Sequence, residues 1–198
     1  MTNDPRAATS LTLLARLRDN EAEAWSLMVQ LYTPLVRRWG ARAGLAGADL
    51  DDLAQEVPRA AVGGLPQFRR DRPGDSFRGW LHGITRNALL KHFERRGRSP
   101  RAAGGTDARL SLQEVAGPGE EPDDEEDHDE RNALFRRALE LARAQFEEKT
   151  WQAFWLTVID DLSPNEAAAR LGLTAVAVRK YKSRVLRRLR SEFGELID

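Results

Sequence analysis

The stretch SPNEAAARLGLTAVAVRKYKSRVLRRLR, Ser163 to Arg190, decides how the end of this chain folds. Ser163 followed by Glu166 is a capping box, in which each side chain satisfies the other residue's backbone N–H, and Pro164 stands at the first helical position, where proline is tolerated. At Leu171-Gly172-Leu173 the chain turns, and Thr174 caps a second helix. Val178, Tyr181, Val185 and Leu189 recur at helical spacing and form the inward face of that helix. Its outward face holds Arg179, Lys180, Ser183 and Arg184, and from Arg179 to Arg190 there are seven Lys or Arg and no acid. A surface that is only soluble mixes its signs. Two helices joined by a Gly-containing turn, the second this basic, make a helix-turn-helix whose second helix fits the major groove of DNA.

The rest of the chain balances that charge. Its 31 basic and 31 acidic residues cancel to a net charge of zero, but they are segregated. The run EEPDDEEDHDE, Glu120 to Glu130, carries nine carboxylates. From Gly97 to about Glu130 apolar periodicity stops and Gly, Pro and charge dominate, which is the composition of an extended, mobile linker. Two folded units flank it. An apolar content of 41 % suffices for their cores, and no segment has the length and apolarity of a membrane span. With no Cys there is neither a disulfide framework nor a thiolate metal site, so a soluble cytoplasmic protein is expected.

Apolar spacing of three and four predicts an all-α fold of two small helical domains. Trp25, Met28, Tyr32, Leu35, Val36 and Trp39 form one stripe, punctuated by Gly40 and Gly44. A second helix runs from Asp49 through Leu53. A third begins near Ser76, with Phe77, Trp80, Leu81, Ile84, Ala88 and Leu89 inward and Arg78, His82, Arg86, Lys91, Arg95 and Arg96 outward. In the second unit Trp151, Phe154, Trp155, Val158, Ile159 and Leu162 continue the pattern.

Catalysis finds no support in these residues. His82 and His92 are ten residues apart, not at the i, i+4 spacing that places two imidazoles on one metal, and His128 lies within the acidic run. No nucleophile elbow or phosphate-cradling Gly loop is present, so the expected catalytic residues, metal ligands and cofactors are none.

The motifs DLDDLAQEV (Asp49 to Val57) and LPQFRRDRPGDSFRGWLHGITRNALLKHFERR (Leu65 to Arg96) resemble the second conserved region of bacterial sigma factors. LSPNEAAARLGL and KSRVLRRLR resemble the fourth. Their order, with a linker and no third domain between, is similar to the extracytoplasmic-function (ECF) group. That resemblance implies a region-two-like domain at 10–97, a flexible acidic linker at 98–130 and a region-four-like helix-turn-helix domain at 131–198. It implies promoter recognition and transcription initiation, with core RNA polymerase, promoter DNA as duplex and as melted non-template strand, and an anti-sigma factor as partners.

The residues carried over are specific. Asp49, Asp51, Asp52, Leu53, Gln55 and Glu56 form the polymerase-docking patch. Phe68, Arg69, Arg70, Asp71, Arg72, Asp75, Phe77, Arg86 and Asn87 form the minus-ten site, where the phenyl rings wall a base pocket, Asn87 meets a base edge and the arginines hold phosphates. Thr174, Ala177, Arg179, Lys180, Lys182, Ser183, Arg184, Arg187 and Arg188 form the minus-thirty-five site. Pro58 departs from the family pattern, and a proline inside a helix costs about 3 kcal/mol, so the acidic helix is expected to kink or end near Val57. The alternative reading of the same two units is a helix-turn-helix repressor or activator with an N-terminal sensing or dimerisation bundle.

Overall fold

The computed structural model describes residues 12–71, 75–95 and 124–197, whose regular structure is entirely helical, with no strand among them. Helix α1 (Leu13–Arg18) starts where Thr12 accepts from the backbone N–H of Ala15, and it buries Leu13, Leu14 and Leu17. In α2 (Ala22–Arg42) the expected stripe is inward: Met28, Tyr32, Leu35, Val36 and Trp39 are buried, while Trp25 packs at the margin. A side chain at Gly40 would place its Cβ 2.5 Å from a methyl of Leu53 and 2.8 Å from one of Leu50. Helix α2 thus meets α3 (Ala48–Gly64) at a point only glycine permits. Between them the chain reverses through Gly44 and Gly47, both at positive φ.

Helix α3 does not end near Val57. It continues through Pro58 to Gly64 and passes into a 3-10 turn, Leu65–Gln67. The bond forfeited is the one to the Ala54 carbonyl, and Val57 and Ala61, both fully buried on either side of the proline, keep the helix seated on its neighbours α2 and α4. Helix α4 (Phe77–Arg95) buries Phe77, Leu81, Ala88, Leu89 and Phe93. Arg78, expected outward, is buried as well, and His82 is half-buried. Their cover is a helix from the far side of the linker.

That helix, α5, runs Asp124–Arg143, so the acidic stretch assigned to the linker up to residue 130 supplies two helical turns. A carboxylate-rich first turn suits the positive end of a helix dipole, and Glu130 finds buried donors. Helices α6 (Glu148–Val158), α7 (Pro164–Leu171) and α8 (Ala175–Ile197) complete the second unit.

The two units are docked on one another: α5 lies against α2, and α8 against α1 and α4. One apolar cluster runs from Leu17, Leu31 and Leu89 through Leu134, Ala142, Phe154 and Val185 to Phe193. A smaller cluster of Ala153, Ala167, Ala168 and Val178 holds the helix pair α7 and α8 to α6. Polar bonds seal the seam, with Arg137 donating to the Gln30 carbonyl at 3.1 Å and Arg16 lying 3.9 Å from the buried Glu192.

Candidate nucleic-acid and polymerase interfaces

The capping box at Ser163 is formed as expected. The Ser163 N–H donates to Glu166 Oε2 at 2.9 Å, the Ser163 hydroxyl donates to the same oxygen at 2.6 Å, and the Glu166 N–H donates to Ser163 Oγ at 3.3 Å. These bonds hold the Glu166 carboxyl below its usual range, the hydroxyl bond contributing most. Gly172 closes α7 at φ +61°, and Thr174 Oγ1 accepts from the Ala177 N–H at 3.2 Å to open α8. Val178, Val185 and Leu189 are buried and Tyr181 half-buried, which turns Arg179, Lys180, Ser183, Arg184 and Arg187 to solvent.

Two predicted contacts face elsewhere. Lys182 Nζ donates back to the Thr157 carbonyl at 3.4 Å. Arg188 donates to Gln145 at 2.9 Å and to the buried Glu192 at 3.2 Å, so in this arrangement it ties α8 to the end of α5. A salt-bridge network nearer the helix end competes for a cation that charge patterning alone assigns to DNA. Val176, in contrast, was not anticipated: it is 71 % exposed in the first turn of α8, on the face of Arg179 and Lys180.

In the first unit the predicted minus-ten residues divide. Phe68 and Phe77 are buried, and with Trp80 and Tyr32 they form a ring cluster with centroids 5.0–5.6 Å apart. They support the loop above them from below and do not line an open base pocket, because the apolar gain of burying the rings outweighs leaving them exposed. Arg69 donates to the carbonyls of Pro66 at 2.7 Å and Phe68 at 3.0 Å, and Arg70 donates to that of Asp75 at 3.2 Å. The Asp75 carboxylate in turn accepts from the Asp71 N–H at 3.0 Å. The loop ends are thereby pinned across the mouth of α4, and Arg72 lies outside the described residues. Asn87 is exposed on α4 and Arg86 is half-buried.

The acidic helix divides too. Leu53 is core, Asp51 pairs with Arg37, and Asp49 lies 3.8 Å from His92 Nε2. Asp52 and Gln55 face solvent, with Glu56 half-buried beside them. On the second unit, Phe135, Trp155 and Ile159, 38–42 % exposed, line an apolar groove of about 890 Å³ between α5 and α6. Trp155 and Ile159 were expected in the core; the 3–4 periodicity finds an apolar face without telling what covers it. Among the described residues no cluster of His, Asp or Glu suits a metal ion, and no helix is long and apolar enough to cross a membrane.

The feature that spacing least foretold is the surrounding of Glu130. This carboxylate is buried against Trp39 and Arg42 of α2 and Arg78 of α4. Beside it His82 stacks edge-on against Trp39, ring centroids 4.7 Å apart. Burial holds the His82 imidazole below its usual pKa, with Arg78, Arg86 and Arg42 acting in the same sense and Glu130 against them.

These two helical units, a basic helix-turn-helix and a bundle with an acidic patch and an arginine loop, have counterparts in known proteins. A family model for sigma-70 region 2 matches residues 28–99. The ECF RNA polymerase sigma factor SigD of Mycobacterium tuberculosis is 32 % identical over 170 residues, which cover 83 % of this chain and 74 % of SigD. The RNA polymerase sigma factor CnrH of Cupriavidus metallidurans is 28 % identical over 187 residues, 94 % of this chain and 93 % of CnrH. A solved structure of CnrH in complex with the cytosolic domain of CnrY covers 89 % of this chain and 92 % of that one at 26 % identity and a TM-score of 0.37. The chain belongs to the ECF family of RNA polymerase sigma factors. Its function is to direct RNA polymerase to promoters and initiate transcription, with core polymerase and promoter DNA as its partners; the repressor or activator reading is not favoured.

Proposed function

We propose that the work of initiation is divided between the two units. The first turns of α8 read the minus-thirty-five duplex through Arg179, Lys180, Ser183 and Arg184, with Arg187 on phosphate. The loop ending at Asp75, with Asn87 behind it, holds the unpaired non-template strand of the minus-ten element. The exposed Asp52 and Gln55 of α3 dock on a basic surface of core polymerase. An anti-sigma factor is the proposed regulator and the cytoplasm the proposed location, and the chain supplies binding with no chemistry of its own. The observation that carries this reading is the face of α8, where Arg179, Lys180, Arg184 and Arg187 turn to solvent on a helix capped by Thr174 and joined through the left-handed Gly172 turn to α7, which starts on a complete capping box.

Run-off transcription with core polymerase, this chain and a promoter library tests it. The wild-type chain initiates on a defined promoter subset without another sigma factor. Arg179→Ala or Lys180→Ala changes which minus-thirty-five sequences are preferred, by about 1–3 kcal/mol at the affected base pair, whereas Arg187→Ala weakens all promoters alike and lowers the salt dependence. Equal shifts from all three substitutions on every sequence contradict the assignment.

A further inference from the structure

Glu130 makes its bonds across the seam between the units. Its Oε1 accepts from Trp39 Nε1 at 2.7 Å and Arg42 Nη1 at 3.4 Å, and its Oε2 accepts from Arg78 Nη1 at 2.8 Å. The acceptor belongs to α5, while all three donors belong to the first unit, two at the end of α2 and one at the start of α4. Trp39 and Arg78 are themselves buried, so their positions are set by packing. An indole N–H and two guanidinium groups converging on two oxygens of one anion suit the non-bridging oxygens of a phosphate as well as a carboxylate.

The location of these donors identifies the phosphate. Phe77, which adjoins Arg78 in the chain, packs on Phe68 and Trp80 beneath the arginine loop. Burial pushes the Tyr32 phenol far above its usual pKa, and the cations that oppose this are Arg78 and the loop's own Arg70. Arg70 donates to the carbonyl of Asp75, three residues before Arg78, so the arginine loop ends within one helical turn of that donor and a strand held by the loop has its backbone within reach of the three donors.

We propose that Trp39, Arg42 and Arg78 form a seat for a backbone phosphate of the melted minus-ten strand, and that Glu130 fills that seat as an internal competitor while the units are docked. The inference rests on the minus-ten reading given above. It makes α5 a cover: the strand gains the seat only when α5 has moved away, so the free chain holds single-stranded DNA less well than the polymerase-bound one.

Anisotropy of a labelled single-stranded minus-ten oligonucleotide tests this with the full chain, alone and bound to core polymerase. In the free chain Glu130→Gln binds about five- to tenfold tighter than wild type, and adding Trp39→Phe and Arg42→Ala to Glu130→Gln removes the gain. Bound to polymerase, wild type and Glu130→Gln bind alike, and the Trp39→Phe/Arg42→Ala chain binds several-fold less. Circular dichroism verifies that each variant is folded. Equal affinity of free wild type and Glu130→Gln overturns the competition, and polymerase-bound affinity indifferent to Trp39→Phe/Arg42→Ala overturns the seat. Strand binding that is also indifferent to Asn87→Ala and to replacement of the arginine loop overturns the minus-ten reading itself.

Discussion

The imidazole of His82 is packed on Trp39 at the junction of the units, and its lowered pKa means that it enters the folded protein neutral. In the unfolded chain it takes up a proton near its ordinary 6.5. Below that pH the unfolded state therefore binds more protons than the folded one, and stability falls until the pH reaches the lower pKa of the folded state. Above 6.5 the effect vanishes, because both states are neutral. Urea unfolding of the wild-type chain should accordingly lose midpoint as pH drops from 7 to 5, and His82→Phe, which keeps a ring against Trp39, should lose less over the same interval. Parallel pH profiles for the two chains would show that His82 carries no such penalty. The same neighbourhood shows where residue-level reading from sequence stops. Arg78 and His82 are polar positions four apart on α4 and read as a solvated face; Arg78 becomes interior through Glu130 of α5, far along the chain, and His82 is half-buried against Trp39 of α2.

At the scale of the element, caps and turns were legible because their chemistry is local. Ser163 with Glu166, Pro164, Gly172 and Thr174 each act within four residues, and each does in the structure what its position implied. Pro58 misled for the complementary reason: its cost is local, but the burial of Val57 and Ala61 that outweighs it is tertiary. Lys182 and Arg188 followed the same logic, since both lie on a basic helix and both bond to elements the helix itself does not reveal. Helix α4 and its preceding loop carry the proposal that can be separated most cleanly from duplex reading. Asn87→Ala should depress initiation on a fully paired promoter by roughly tenfold or more, since part of its binding energy offsets the few kcal/mol of unstacking a base. A promoter pre-opened by mismatches should restore much of that loss, whereas Arg179→Ala should gain little from it. Run-off yields on the paired and pre-opened templates compare the two, and equal defects of Asn87→Ala on both would remove melting from the role of α4.

For the whole molecule the consequential fact is that the two units share one apolar cluster. Their separate stripes were readable along the chain, but a periodic stripe does not say whether its cover is a helix of its own unit or of the other. The division of labour proposed here needs the units on two promoter elements at once, and the docked arrangement buries Glu130, Trp39 and Arg78 between them. Opening therefore exposes apolar surface and a carboxylate with its donors, a cost that binding to polymerase has to offset. The donor–acceptor distance between dyes on exposed positions of the two units, Arg59 in α3 and Arg170 in α7, measures this directly. High energy-transfer efficiency is expected in the free chain, with a large fall on adding core polymerase and promoter DNA. An efficiency that stays unchanged while the labelled chain supports specific initiation would contradict it.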